Sequence, residues 1–340
     1  MTMRKKIQSG ELALIARLRA MAGALPNGPG RRHVRLGIGD DCAILQPPSG
    51  HELLVTTDFS LEGRHFRRAW HSPQSVGYRT LARGLSDIAA MGGQPLAAFL
   101  SLALPKAAAR DIHWLDGFLQ GLLALAREHK VPLAGGDTAE APGSDVLADI
   151  IVVGSAPAGR ALTRSGARPG DSIYCTGALG GAAAELAALA KTPALFRRAR
   201  ARDAHPHLFP QPRLAVGEAL LRRRLASACI DVSDGLSTDL AHLCEASAVA
   251  AELDAALLPA HPLTTGLAPA EQMATILHGG EDYELLFTAR PLTKVPRSLA
   301  GVPITRIGYI VPYKKSRARM TIIAEGTRFE LQPRGWEHFI

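Results

Sequence analysis

The sequence predicts an α/β protein of two domains, and three observations carry that expectation. The chain has 340 residues, a length that favours two hydrophobic cores over one. Helical and strand-like apolar spacings alternate along it. A Pro/Gly-rich passage over 155–170 interrupts the alternation, which then restarts. The expected division is 1–155 and 156–340.

The elements follow in order. Helical spacing covers 11–25, and the stretch 26–30 with Pro26 and Gly30 stops it. Strands are expected over 34–38, 42–46 and 53–57, then a helix over 75–91 bounded by Gly92-Gly93. The run 96–104 is apolar enough for a central strand, and Pro105 ends it. A helix over 111–129 precedes strands over 131–134 and 146–153, set around a Gly-Gly-Asp-Thr turn. Past the hinge come a strand over 172–175, a turn over 177–181 and helices over 181–190 and 214–225. A short strand over 228–232 leads to a helix over 236–246, for which Ser233 or Asp234 would be the cap. Strands over 284–288, 305–310 and 320–324 complete the second domain.

Composition narrows the class. Apolar residues make up 47% and charged residues 21%, as in a globular protein rather than a disordered one. No apolar run reaches membrane-spanning length, and no apolar core follows the charged N-terminus, so a cytoplasmic location is expected. Cys42, Cys175, Cys229 and Cys244 are far apart and lack metal spacing, which reads as buried small apolar residues. The net charge of +8 sits largely in the runs 196–202, 222–224 and 314–319. With only 5% aromatic residues to stack bases, these runs read as solvated faces and not as a nucleic-acid surface.

The informative residues are acids beside glycine or small residues. They lie in Gly39-Asp40-Asp41, Thr56-Thr57-Asp58, Ser86-Asp87, Gly135-Gly136-Asp137-Thr138, Asp231-Val232-Ser233-Asp234-Gly235 and Gly279-Gly280-Glu281-Asp282. Most close runs that read as buried strands, where an unmatched carboxylate is costly. Magnesium takes a few carboxylates together with water and phosphate oxygens. Loops that each supply one carboxylate therefore suit a polyphosphate held through hard cations. Asp41, Asp58, Asp87, Asp137 and Asp231 fit that role, with glycine allowing close backbone approach. Each has a second reading as a turn or cap residue. That reading is strongest for Asp234, and Asp40 can satisfy amides beside Asp41. Arg164 could reach a phosphate or simply be a surface arginine. His65 follows the Thr-Thr-Asp strand by a short loop, and Trp336 could stack on a ring or pack in the core. The chain has no Walker-type phosphate loop, and Asp40-Asp41 after Gly37-Ile38-Gly39 spoils a dinucleotide fingerprint. The stretch Thr176-Gly177-Ala178-Leu179-Gly180-Gly181 either offers amides to an anion or is a plain tight turn.

From about Leu14 to Phe339 these motifs resemble the thiamine-monophosphate kinases, a family that includes aminoimidazole ribonucleotide synthetase among its relatives. The resemblance rests on Gly37-Ile38-Gly39-Asp40-Asp41-Cys42-Ala43, Thr56-Thr57-Asp58, Leu85-Ser86-Asp87-Ile88-Ala89-Ala90-Met91-Gly92 and Gly135-Gly136-Asp137-Thr138. It rests equally on Arg160-Ala161-Leu162-Thr163-Arg164-Ser165-Gly166, Ile230-Asp231-Val232-Ser233-Asp234-Gly235-Leu236 and Gly279-Gly280-Glu281-Asp282-Tyr283-Glu284-Leu285. It implies the two-domain aminoimidazole ribonucleotide synthetase-like fold, α/β with mixed sheets, and a homodimer paired through N-terminal strands. It also implies direct transfer of the ATP γ-phosphoryl group to thiamine monophosphate, the last step of thiamine diphosphate biosynthesis. Several magnesium ions would be bound by Asp41, Thr56, Thr57, Asp58, Asp87, Asp137, Asp231 and Asp234. Gly136, Asp137, Arg164 and Ser233 would contact ATP, and His65 and Glu281 the thiamine phosphate, with Trp336 a weak further contact. No residue stands out as a catalytic base, because the acceptor phosphate is already ionised near neutral pH. Asp58 and Asp137 would be the most essential acids.

The chain departs from the family pattern at Phe59 and Glu62, and at Pro333, where an aromatic is often found. Selenophosphate synthetase would need a reactive cysteine in its N-terminal segment, and the first 36 residues contain none. The related hydrogenase-maturation dehydratase would need a C-terminal cysteine, whereas this chain ends Trp336-Glu337-His338-Phe339-Ile340. From another class, a nucleotide or metal sensor would bind ATP with magnesium and turn nothing over.

Overall fold

Two glycines let helices of the first half of the chain meet backbone to backbone. In the computed structural model, which describes residues 11–23, 33–38 and 40–336, the chain divides into two compact units. Unit 1 comprises 1–84 and 95–155, and unit 2 comprises 85–94 and 156–340. Gly39, the expected helix stop at 26–30, the N-terminal residues 1–6 and the terminal 337–340 lie outside the described residues.

Unit 1 opens with α1 (Glu11–Gly23), which the ion pair between Arg17 and Asp116 ties to a later helix. A small antiparallel ribbon follows, β1 (Val34–Leu36) with β2 (Ile44–Leu45), shorter than the strand expected over 42–46. Then come β3 (His51–Leu61), α2 (Pro73–Ala90), which belongs to unit 2 from Leu85 on, β4 (Gln94–Leu104), α3 (Lys106–Arg110), α4 (Ile112–Glu128), β5 (Leu133–Glu140) and β6 (Leu147–Pro157). The four-stranded sheet has the order β3-β6-β4-β5, with β4 and β5 parallel. β3 and β5 are therefore its two edges.

The helices form for the reasons their spacing gives. In α2, Leu81, Leu85, Ile88 and Ala89 recur on one face and are fully buried. In α4, Phe118, Leu119, Leu122, Leu123 and Leu125 do the same, and Asp111 caps it by accepting the Trp114 N–H at 3.0 Å. α2 and α4 touch backbone to backbone: a Cβ on Gly77 would stand 1.8 Å from the Phe118 carbonyl oxygen, and one on Gly121 would stand 1.8 Å from that of Gln74.

Two expectations need correction here. The Gly135–Thr138 motif is not a turn between strands; it lies inside β5, where Ala98 and Phe99 of β4 shift register. Likewise Thr56-Thr57-Asp58 does not end a strand, because β3 runs on to Leu61. Both are edge strands with a strand neighbour on one side only, so their polar residues need not mark an end. The strand β6 also continues to Pro157, into the passage read as a linker.

Unit 2 holds β7 (Ser172–Thr176), α5 (Gly181–Lys191), α6 (Leu214–Arg222), β8 (Ala228–Val232), α7 (Leu236–Ala246), β9 (Ala250–Asp254), α8 (Pro269–His278), β10 (Glu284–Ala289), β11 (Ser298–Leu299), β12 (Val302–Val311), β13 (Met320–Ala324) and β14 (Thr327–Glu330). Its sheet has the order β14-β13-β9-β12-β7-β10-β8, with β11 beside β12. It is mixed: β13 pairs with β9 in parallel and the other pairs are antiparallel. Ile173, Ile230, Val232, Leu240, Leu243, Leu286 and Ile307 build its core. The sequence reading missed β9 and α8. The Ala-rich segment 250–254 has little β signal, and α8 is only ten residues long.

The glycine contact gives a direct test. Gly121→Ala overpacks the α2–α4 contact and should cost about 1–3 kcal/mol. That lowers the thermal midpoint by several degrees, at roughly 2–4 °C per kcal/mol. Gly143→Ala, whose Cβ meets nothing within 4 Å, is the control and should leave the midpoint unchanged.

Candidate active site

Unit 1 gathers three of the acids at one cavity of about 530 Å³. The loop after β1 brings Asp40 and Asp41, and β5 brings Gly136, Asp137 and Thr138. Asp40 Oδ1 accepts the Asp41 N–H at 2.9 Å, the amide role expected for it, and Asp137 Oδ1 accepts the Thr138 N–H at 2.8 Å. Each carboxylate keeps a second oxygen at an exposed position on the cavity rim. Gly136 has φ +147°, and a Cβ there would stand 1.9 Å from the Leu100 carbonyl oxygen. Only glycine lets β5 lie against β4 at that point. The Thr138 hydroxyl is buried and has no hydrogen-bond partner among the described residues.

The Thr-Thr-Asp acids lie on the opposite edge of the same sheet, three strand spacings or about 14 Å away. There the Thr57 hydroxyl donates to Asp149 Oδ1 at 2.7 Å, and Asp58 Oδ1 lies 3.8 Å from Arg83 Nε. Thr56 is half-buried on the same strand. In the turn after β3, His65 Nδ1 accepts the Leu61 N–H at 3.0 Å and its carbonyl accepts from Arg79. Glu62, a departure from the family pattern, braces this turn: it accepts from Arg68 Nε at 2.7 Å and from the Val146 N–H at 3.0 Å.

Unit 2 assembles the second group. Asp231, next to last in β8, is 3% exposed, and the Ser86 hydroxyl donates to it at 2.6 Å. Burial, reinforced by the charge of Asp87, pushes its carboxyl up to about 7, while Ser86 and Arg164 pull it back. Arg164 itself is exposed. The N-cap of α7 is Gly235, not the expected Ser233 or Asp234. The direction is reversed: Asp239, inside the first turn, accepts the N–H groups of Ser233 and Asp234 at 3.1 Å each. Burial raises Asp239 well above the usual carboxylate range, with Asp231 and Asp234 adding to the rise. Glu281 has φ +66°; its N–H donates to the Ser233 carbonyl at 2.7 Å, and its Oε2 lies 3.1 Å from His207 Nδ1. Trp336 is not a core residue. It is 47% exposed, and its N–H donates to the Asp234 carbonyl at 3.0 Å.

Two features escaped the sequence reading. Glu284 is buried and takes both Arg213 Nε at 2.7 Å and Nη2 at 2.5 Å, a paired ionic contact across 71 residues. Asp282 fills the N-terminus of α5, accepting the Gly180 N–H at 2.6 Å and the Ala182 N–H at 3.0 Å. The Gly-rich turn before α5 is thus closed by the protein's own carboxylate, which leaves it no vacancy for a phosphate. The run Gly-Gly-Glu-Asp before a strand was the only local signal for either.

The residues fit hard cations. In unit 2 a buried carboxylate faces a second carboxylate, and in unit 1 three acids share a cavity with an unmatched hydroxyl; both arrangements are eased by a divalent ion. Among the described residues no three His, Cys, Asp or Glu side chains form a ready-made cage.

Asp282 gives a pH test. Burial raises its carboxyl from 3.8 to about 7. Between those values the folded form keeps a proton that the unfolded chain has lost. Its contribution to stability is whole below about pH 4 and is lost as pH rises through 7. Asp282→Asn should reduce the fall in unfolding free energy across that window in urea titrations. A slope equal to the parent's would contradict the assignment.

Comparison with known proteins identifies the family. The AIR synthase related protein N-terminal domain matches residues 39–156, and the C-terminal domain matches 168–320. Thiamine-monophosphate kinase of Escherichia coli (strain K12) is 40% identical over 339 residues, covering 97% of this chain and 98% of that protein. The crystal structure of thiamine-monophosphate kinase from Stenotrophomonas maltophilia K279a superposes with a TM-score of 0.76 at 34% identity, covering 94% of this chain and 98% of that one. AaThiL complexed with AMPPCP and TMP gives 0.73 at 28% identity, with both chains fully covered. On its sequence, its two domains and its fold, the chain belongs to the thiamine-monophosphate kinase family.

Proposed function

We propose that this chain transfers the γ-phosphoryl group of ATP directly to thiamine monophosphate, forming thiamine diphosphate and ADP. The observation that carries the reading is the buried Asp231 beside Asp87, with the Ser86 hydroxyl on it. A site that must bring two anionic phosphates into line needs positive charge, and here the fixed groups are acids that recruit it. Magnesium ions, bound by Asp41, Thr56, Thr57, Asp58, Asp87, Asp137, Asp231 and Asp234, would supply that neutralising charge.

The chain's own residues do the rest. Gly136 lines the cavity, where its lack of a Cβ lets β5 lie against Leu100 of β4, and Asp137 stands beside it. Arg164 presents an exposed guanidinium to a phosphate. Ser233 offers a hydroxyl whose main chain Asp239 holds in place. His65 and Glu281 contact the thiamine phosphate, with Trp336 a weak further contact. Both are pre-set, His65 by the β3 turn and Glu281 by its left-handed backbone and its pairing with His207. No general base is required of any of them.

The dimer belongs to the same reading. β3 is a sheet edge, and Leu53, Val55 and Phe59 on one of its faces are 48%, 67% and 62% exposed. An apolar edge of this kind suits pairing with a second copy. Light scattering should give twice the 36.1 kDa chain mass, and a monomer at working concentration would sink this part. A cytoplasmic location goes with the substrates; no described helix is long and apolar enough to cross a membrane.

The decisive assay supplies ATP, magnesium and thiamine monophosphate and follows thiamine diphosphate by chromatography. Product that EDTA abolishes, and that free thiamine does not yield, is the expected result. ATP binding without product would defeat the reading. Asp58→Ala should lower kcat by on the order of a hundredfold or more with an unchanged circular dichroism spectrum. A folded variant at near-normal rate would remove Asp58 from the metal ligands.

A further inference from the structure

The segment between α5 and α6 holds the contacts that carry a second-layer role. It has little regular structure of its own beyond a short 3-10 turn at Pro193–Phe196. Yet it contains His207, whose side chain is 1% exposed. Glu185, a buried residue of α5, fastens it. Glu185 Oε2 accepts the N–H of His207 at 2.7 Å and that of Leu208 at 3.2 Å, and Oε1 takes His205 Nδ1. An imidazole so fixed points its own Nδ1 at Glu281 Oε2, 3.1 Å away. A carboxylate oxygen there accepts, so Nδ1 carries the hydrogen.

We propose that His207 is a positioning residue that aims the Glu281 carboxylate at the substrate, with Glu185 as its anchor. This rests on the reading of Glu281 as a contact to the thiamine phosphate. Three features agree with it. Glu281 is a non-glycine residue held at φ +66°, a conformation that persists only where its surroundings impose it. Its main chain is pinned by the N–H···O bond to Ser233. Its side chain remains 21% exposed, so a ligand can still reach it. A free glutamate side chain would lose rotamer freedom on binding; one already held by a buried imidazole loses less, which favours affinity over turnover.

The test compares His207→Asn, which keeps a donor near the Nδ1 position, with His207→Gln, which places its amide elsewhere. Both are polar and close in size, and thermal midpoints matched to the parent show that both fold. His207→Gln should raise the KM for thiamine monophosphate about tenfold, the scale of a lost bond to a charged group. The KM for ATP should stay unchanged. His207→Asn should restore the parent KM to within about twofold. Combined with Glu281→Ala, His207→Gln should add no further increase, because the two act through one contact. If Glu281→Ala raises the KM for thiamine monophosphate and His207→Gln does not, the positioning role is overturned. If Glu281→Ala itself leaves that KM unchanged, the substrate-contact reading falls and takes the inference with it. Equal rises in both KM values, or additive losses in the double variant, would mark His207 as structural only and overturn the inference.

Discussion

A carboxylate taken out of water has to be met by something positive or by donors, and among the described residues unit 2 buries six of them: Asp171, Glu185, Asp231, Asp239, Asp282 and Glu284. Five are met within the fold by several donors. Asp171 has Arg290, Ser227 and the Arg168 N–H; Glu185 has His205 and two amides; Glu284 has Arg213 and Thr176. Asp282 takes the first amides of α5, and Asp239 takes two amides ahead of α7. Asp231 has the Ser86 hydroxyl as donor and Asp87 opposing it, and burial pushes its carboxyl up to about 7, as it does that of Asp282. Burial raises Asp231, Asp239 and Asp282 alike, and Asp231 is the one of the three that is a candidate metal ligand.

Much of this could be read from the chain. The helices over 75–91 and 111–129 show their buried faces at helical spacing, and the structure places α2 and α4 there. The acid motifs were visible because glycine and small residues beside an acid are unusual in a strand context. What stayed hidden was long-range. Ser86 reaches Asp231 across 145 residues and Arg213 reaches Glu284 across 71, separations at which local pattern carries no information. The edge strands misled in the opposite sense. β3 and β5 accept Thr, Asp and Gly in mid-strand because one side of each lacks a neighbouring strand, so polar residues there looked like ends. Ser-Asp before α7 resembled a cap, yet Asp239 five or six positions on takes the amides instead.

The same glycines serve packing and chemistry together. Gly136 lines the cavity and leaves no room for a Cβ against the Leu100 carbonyl. Gly177 would bring a Cβ to 1.9 Å from Glu284 Oε1, so the turn after β7 is shaped around an ion pair. Signals that suggest a phosphate loop therefore have to be weighed against what the protein's own groups already occupy, as the filled N-terminus of α5 shows.

The cysteines divide sharply. Cys175, Cys229 and Cys244 are buried, and burial pushes all three thiols up, so they hold their protons and resist alkylation. Cys42 is exposed, directly after Asp41 on the wall of the unit 1 cavity, where the sequence reading had placed a fourth buried thiol. Nature has thereby left a single chemical handle on native protein, one residue from a candidate metal ligand. A fluorophore or spin label attached there would sit where filling of the cavity changes its surroundings, without a cysteine-free background having to be engineered first.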